Sequence, residues 1–424
     1  MKPMFIVSCP IDTYSGYGAR SRDFVKALIE LDKYNVKILP QRWGITPWGF
    51  IEDHPEWEFL TKYYLDSPQL PKQPEIWCQI TVPNEFQPVG KFNIGLTAGI
   101  ETTICHASWI EGLNRMDLNL VSSEHAKKVF QNAKFEKRDS RNNQIIDIIE
   151  LKKPIEILFE GADIDVYKPI SKEEIKFINL DEVKESFAYL FVGHWMQGNL
   201  GEDRKNVGLL VKAFYETFKN QPSPPSLILK TSATGASYMD RENILDRIRI
   251  IKNTVKANTL PNVYLLHGEF TDSEMNELYN HPKIKAMVSL TKGEGFGRPL
   301  LEFSLTKKPI ITTNWSGHLD FLHKNFNILL GGELKNVDPS ASVQDMILTE
   351  SQWFNVNLIE VNNALTDLYK NYKNYIESGK KQAARSRNHF SYNQMKNLLD
   401  TTLINYLPIF PQEVQLKLPE LKLL

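Results

Sequence analysis

Residues 288–320 read VSLTKGEGFGRPLLEFSLTKKPIITTNWSGHLD, a stretch that leaves few options for the fold around it. Ala286–Leu290 is a short apolar run of the kind that makes a buried parallel strand. Lys292-Gly293-Glu294-Gly295-Phe296-Gly297 cannot continue that strand, because three glycines punctuate it. Pro299 suits a first helical turn, where its missing N–H costs nothing. Leu300, Leu301, Phe303 and Leu305 give the helix an apolar side, and Lys307-Lys308 suit the negative end of its dipole. Pro309–Thr313 is the next strand, so the order is strand, glycine loop, helix, strand, as in an open parallel α/β sheet.

A glycine loop between a strand's carboxyl end and a helix N-terminus offers free backbone N–H groups to an anion. Glu294 and Glu302 sit in that loop and helix and cannot neutralise a phosphate. Accepting hydrogen bonds from sugar hydroxyls would suit them, and phosphate plus hydroxyls describes a nucleotide-sugar. The plainer alternative is a helix whose early glutamates only favour its dipole.

The rest of the chain supplies a second such unit. Phe5–Ser8 is a strand, followed by a loop holding Gly16 and Gly18, an apolar-sided helix, and a strand at Asn35–Leu39. Gly16-x-Gly18 is not the dinucleotide fingerprint and would equally serve a plain turn. Residues 41–75 carry Trp43, Trp48, Phe50, Trp57, Phe59, Tyr63 and Tyr64, an aromatic insertion that either stacks on an acceptor or forms a local satellite core. Residues 134–153 start strongly polar and read as an exposed loop or hairpin, and the charged segment 171–184 as the connection between domains. A second run of strands and helices starts at Tyr189–Gly193, with Arg204-Lys205 before its first helix, where cations can clamp a diphosphate or form a solvated basic pair. Residues 331–350 make a polar excursion, and helices are expected over 353–377 and 379–403, before a tail from 407 to 424.

At 424 residues the chain calls for two domains. A net charge of −1 gives no support for broad attraction to nucleic acid or anionic membrane. Cys9, Cys78 and Cys105 are scattered, in no metal-type pair, which suits a reducing compartment. The N-terminal apolar stretch is too short for a signal peptide and no run approaches a membrane span, so the expectation is cytoplasmic, with peripheral membrane contact left open.

These residues resemble a known family. Glu294–Glu302 is similar to the Glu-x7-Glu motif, with its internal Gly-Phe-Gly, of retaining glycosyltransferases of the GT-B fold in the large family 4 group. Phe191-Val192-Gly193 with Arg204-Lys205-Asn206 resembles the opening of that family's donor domain, and Glu160–Pro169 its linker. Glu101-Thr102, Trp109, Asn114, Asp117 and Ser122-Ser123 match one branch, although His106 stands where a proline is common. The resemblance implies an α/β chain of two Rossmann-like, doubly wound domains facing a central cleft. Residues 1–170 would bind the acceptor, joined by a C-terminal crossover helix at about 390–424, and residues 171–389 would bind the donor. It implies transfer of a hexose or pentose from a nucleotide-diphospho-sugar with retention of configuration, the leaving phosphate assisting the incoming hydroxyl on the front face. Glu302 would hold the ribose hydroxyls, Glu294 the sugar, and Arg204 and Lys205 the diphosphate. The amides of Phe296 and Gly297 would meet sugar and diphosphate, with Arg298 in the same donor-binding set, and the Gly16–Gly18 loop would close on the phosphates. Glu294, Arg204, Lys205 and the candidate His106 make up the expected catalytic set, with no metal or cofactor. The acceptor stays open among lipid-linked glycan, polysaccharide, protein and a modified nucleic-acid base. The alternative is an inert nucleotide-sugar-binding protein on the same fold.

Overall fold

The structure, a computed structural model, describes residues 2–70, 72–233 and 235–410. The first domain runs β1 (Met4–Cys9), α1 (Gly16–Leu31), β2 (Asn35–Pro40), α2 (Phe50–Asp53), β3 (Ile76–Ile80), β4 (Phe92–Thr97), α3 (Ala107–Asn114), β5 (Leu118–Val121) and α4 (Glu124–Asn132). The polar stretch after α4 is an antiparallel hairpin, β6 (Lys134–Arg138) with β7 (Ile145–Glu150), and β8 (Ile155–Ile157) completes the domain's sheet. That sheet has six parallel strands in the order β2-β1-β3-β4-β5-β8. β1, β3 and β4 are buried along most of their length, which is why they read as continuous apolar runs.

The second domain runs β9 (Ala188–Val192), α5 (Val207–Phe218), β10 (Ser226–Lys230), α6 (Tyr238–Thr254), β11 (Val263–Leu266), α7 (Asp272–Asn280), β12 (Ile284–Ser289), α8 (Arg298–Ser304), β13 (Ile310–Thr313) and β14 (Ile328–Leu330). Its six parallel strands lie in the order β11-β10-β9-β12-β13-β14, the 3-2-1-4-5-6 winding of a Rossmann sheet. The first sheet lacks a full third strand at that edge. Among the described residues the aromatic insertion supplies only a single parallel bridge there, Ile38 to Tyr64, with the Leu65 amide donating to the Ile38 carbonyl at 2.9 Å.

The end of the chain departs from the expected pair of long helices. The 353–377 segment begins as a strand, β16 (Gln352–Val356), antiparallel to β15 (Gly332–Asn336). Trp353, fully buried, anchors it in a small cluster with Val337, Ala341 and Ile347, so side-chain packing overrides helical propensity there. α9 (Leu358–Lys370) and α10 (Ile376–His389) follow. The expected 379–403 helix breaks at Phe390-Ser391, because Ser391 caps a new helix, α11 (Tyr392–Tyr406), by accepting the Gln394 amide at 3.3 Å. α11 crosses to the first domain, where Met395, Leu399 and Leu403 are fully buried. Each such side chain contributes about 1.5–3 kcal/mol of burial. The expected continuation over 411–424 lies outside the described residues.

The chain passes between domains twice, side by side: the Ala162 amide donates to the Phe390 carbonyl at 3.0 Å and the Tyr392 amide to the Ala162 carbonyl at 2.7 Å. The charged 171–184 segment lies against the second domain. Three of its amides, on Lys176, Phe177 and Ile178, donate to one carboxylate oxygen of Glu277 on α7.

Candidate functional site

In the second sheet β9 and β12 are neighbours whose connections run to opposite sides, and such a switch point opens a crevice beyond the strands' carboxyl ends. Two loops meet there. The β9–α5 loop delivers Arg204 and Lys205, and the β12–α8 loop delivers Lys292–Gly297; the Lys292 amide donates to the Arg204 carbonyl at 2.8 Å, tying one to the other. Gly297 takes φ 96° as the residue before α8, a left-handed turn that favours glycine. Ser316 accepts the Glu294 amide at 2.9 Å, which fixes the loop from behind.

The Glu294 carboxylate is the hub of a charged cluster. Both its oxygens accept from Lys205 Nζ, at 2.5 and 2.7 Å, and Arg204 lies 3.6 Å away. Burial pushes the Glu294 carboxyl up, but the adjacent Lys205 and Arg204 charges outweigh it and bring it down to about 2. Arg204 also reaches Glu101 of the first domain at 3.4 Å and donates to the Gly293 carbonyl at 3.1 Å. Glu294 is thus ionised throughout the neutral range, with a cation pair on one side.

The domains touch at this point, backbone against backbone. A Cβ on Gly293 would stand 1.9 Å from the Glu101 carbonyl oxygen, and one on Gly295 would stand 2.5 Å from that of Ala98. Only glycine admits this approach. Gly16, the first residue of α1, is exposed and has open space where a Cβ would go; Gly18 instead packs against Thr13 and is capped by Ser15 at 2.9 Å.

Glu302 stands at the other end of α8, in different company. It accepts from Arg298 Nε at 2.8 Å and from the Tyr279 hydroxyl at 3.3 Å, and Arg298 is shared with Asp23 of α1 at 2.6 Å. Burial raises the Glu302 carboxyl, Arg298 offsets part of that and Asp272 adds to it, leaving it at about 7. A cavity of about 240 Å³ opens beside it, between Tyr14, Gly16 and Phe50 of the first domain and Glu302, Phe270 and Met275 of the second.

The structure therefore brings Glu294, Arg204 and Lys205 into contact, places Arg298 on Glu302, and sets Gly16 on the cavity rim. His106 stands apart from these groups: its ring caps α3, accepting the Ser108 amide at 3.3 Å, and its Nε2 lies 3.6 Å from Asp345. Sequence reasoning missed three participants. Asp23 and Tyr14 lie in an ordinary helix and an ordinary loop, and no spacing marks them. His125 was legible only as part of a helix start. Its ring meets Trp315 of the second domain edge-on at 4.7 Å, Nε2 has no hydrogen-bond partner among the described residues, and burial pushes it down to about 4, so it is neutral.

No family model and no curated protein sequence matches the chain. Solved structures do. A glycosyltransferase from Rickettsia africae aligns over 96% of this chain and 99% of its own at 13% identity, with a TM-score of 0.63. Sucrose-phosphate synthase from Thermosynechococcus elongatus aligns over 96% and 99% at 12% identity and a TM-score of 0.61. Anabaena HepE in complex with UDP-glucose aligns over 95% and 100% at 12% identity and a TM-score of 0.58. At such identities the likeness is one of fold, and the fold is GT-B: two Rossmann-like α/β domains, each built on a six-stranded parallel sheet, with a cleft between them.

Proposed function

We propose that this chain moves a sugar from a nucleotide-diphospho-sugar to an acceptor hydroxyl, with retention of anomeric configuration, as a family 4 glycosyltransferase acting on a hexose or pentose. The observation that carries the proposal is the Glu294–Lys205–Arg204–Glu101 cluster, assembled from both domains at the N-terminus of α8. In this reading the diphosphate lies on the amides of Phe296 and Gly297 and takes over Lys205 and Arg204, whose charges stabilise it as it leaves. Glu294, released from the cations, accepts hydroxyls of the transferred sugar. The leaving phosphate oxygen takes the acceptor's proton on the face from which it departs, and no resident metal is assigned. Glu302 accepts the two ribose hydroxyls. Glycosyltransferases and HepE bound to UDP-glucose share the fold, which supports a nucleotide-sugar donor without fixing its base. The buried, unbridged cysteines fit a reducing compartment, and we place the reaction in the cytosol; no helix among the described residues is long and apolar enough to cross a membrane.

A thermal-shift panel of nucleotide-sugars, followed by NMR of the anomeric proton in the product, tests the proposal. Stabilisation by one donor and an α-product from an α-linked donor are expected. Binding without turnover on every acceptor would move the chain to the inert reading, and an inverted product would remove the retaining mechanism.

A further inference from the structure

The cavity at Glu302 has one wall from each domain, and the first-domain wall is made by the β1–α1 loop and α1 together with Phe50, His54 and Trp57 of the aromatic insertion. None of Glu294, Arg204 or Lys205 lines it. It therefore belongs to the end of the cleft away from the sugar and diphosphate groups. A ligand whose ribose sits on Glu302 and whose phosphates run to Gly297 has only its base left to place here.

Four first-domain rings line this side, Tyr14, Phe50, His54 and Trp57, and Tyr14 is the one outside the insertion. Tyr14 lies in the loop between β1 and α1, two residues before Gly16, and its amide donates to the Pro47 carbonyl of the insertion at 3.2 Å. Its hydroxyl donates to Asp53. Its ring stands edge-on to Phe50 at 5.2 Å and to His54 at 5.8 Å. Phe50 and His54 are stacked on each other at 3.8 Å, and the Arg22 guanidinium covers the opposite face of that stack at 3.4 Å from the Phe50 centroid. Arg22 is held in turn by the Ile11 and Thr13 carbonyls. The stack has no free face on Phe50; it is a buttress, and Tyr14 is what it supports. Across the cavity stand Phe270 and Met275.

We infer that the insertion is a nucleoside clamp: it holds Tyr14 against the base of the donor, which lies between Tyr14 and the Phe270–Met275 side. The inference rests on the nucleotide-sugar reading above. It assigns the aromatic segment to the donor rather than to the acceptor, makes Tyr14 a specificity-determining residue, and makes Phe50, His54 and Asp53 positioning residues.

Calorimetry on the full chain with UDP, GDP, ADP and inorganic pyrophosphate tests it, using Tyr14→Ala, Tyr14→Leu, Asp53→Asn and the control Trp48→Ala. Wild type should bind one nucleoside diphosphate more tightly than pyrophosphate. Tyr14→Ala should weaken that nucleotide roughly tenfold, the scale of one lost base–ring contact, and leave pyrophosphate unchanged. Tyr14→Leu, which keeps apolar bulk, should fall between, and serves if the alanine variant melts early. Asp53→Asn, which replaces a charged acceptor of the Tyr14 hydroxyl with a neutral one, should cost about threefold through the weakened tether, and Trp48→Ala, on an exposed ring outside the cavity, nothing. If wild type binds nucleotide and the Tyr14 variants bind it equally well, the clamp is wrong and the transferase reading stands. Equal losses for nucleotide and pyrophosphate also overturn it, since Tyr14 would then be serving the phosphates. If wild type binds no nucleoside diphosphate at all, the transferase reading itself falls.

Discussion

Glu294 lies in the loop before a short helix and Glu302 within it, and both are buried, at 6% and 7% exposure, yet one is held at about 2 and the other at about 7. The difference is how cations are shared. Glu294 has Lys205 to itself and a part of Arg204, with Glu101 as the only competing carboxylate in contact among the described residues. Glu302 has one cation partner among the described residues, Arg298, which Asp23 also claims, and Asp272 adds a like charge nearby. Burial sets both carboxyls up; the local ratio of cation to carboxylate decides which comes down. One end of α8 is thus a fixed charge and the other a group that titrates near neutrality.

Removing a cation at the fixed end should do the most damage. Lys205→Ala is expected to lower turnover about 10²–10³-fold, the scale of one lost contact to a developing charge, with a much smaller change in nucleotide affinity. Separate measurement of kcat and donor binding checks it; a loss confined to binding would make the two ends equivalent.

The next largest effect should come from geometry alone. Gly295→Ala adds a Cβ against the Ala98 carbonyl oxygen and must push the domains apart, since that neighbour is backbone. A fall of about 10²-fold in turnover is expected, with nucleotide affinity and melting nearly kept. Normal turnover would mean that chemistry does not need this contact.

The Glu302 end should respond in binding and in pH. Glu302→Gln should weaken donor binding roughly tenfold while leaving kcat within a few-fold. In wild type the ionised carboxyl accepts the two ribose hydroxyls more strongly than the protonated one, which turns one oxygen into a donor, so donor affinity should rise several-fold between about pH 6 and pH 8; Glu302→Gln should abolish that slope. Its effect on folding has the opposite sign. A carboxyl raised from 4.5 to about 7 in the folded state binds its proton more tightly there, so its contribution to stability declines as pH rises between those values. Glu294, lowered to about 2, contributes stability that is lost as pH falls from 4.5 toward that value.

The smallest effect is expected at His106. His106→Ala should cost about 1 kcal/mol through the lost cap, read by thermal melting, with turnover changed less than about threefold. A hundredfold loss would give the ring a catalytic part that its capping geometry does not require.

The second domain was legible because its function and its fold use the same signals: the glycines that end β12 also let the backbone turn into α8 and approach the first domain. The basic pair at Arg204-Lys205 could be placed by its position after a strand, but not joined to Glu294, because nothing in sequence measures a distance across two loops. The cross-domain partners Glu101, Asp23 and Tyr14 were illegible as a set for the same reason. The insertion hid best. Its aromatic residues looked alike in sequence, while the structure divides them into an outward ring at Trp48, a stacked prop at Phe50 and His54, and bulk at Tyr64 that stands in for a strand. β16 was misread because a strand of five residues in front of a helix carries too short a pattern to separate from it.

The paired crossing at Ala162 and Phe390–Tyr392 decides how such a molecule can move. A single connecting strand would let the domains bend, twist and drift apart independently. Two strands fastened side by side remove the twist and the drift, and leave one soft degree of freedom, a swing about the line that joins them. A swing about that line would bring Gly293 and Gly295 back to the same two carbonyls and Tyr14 back to the same face. Reproducible registry comes from the chain path itself, without any contact in the cleft having to guide it.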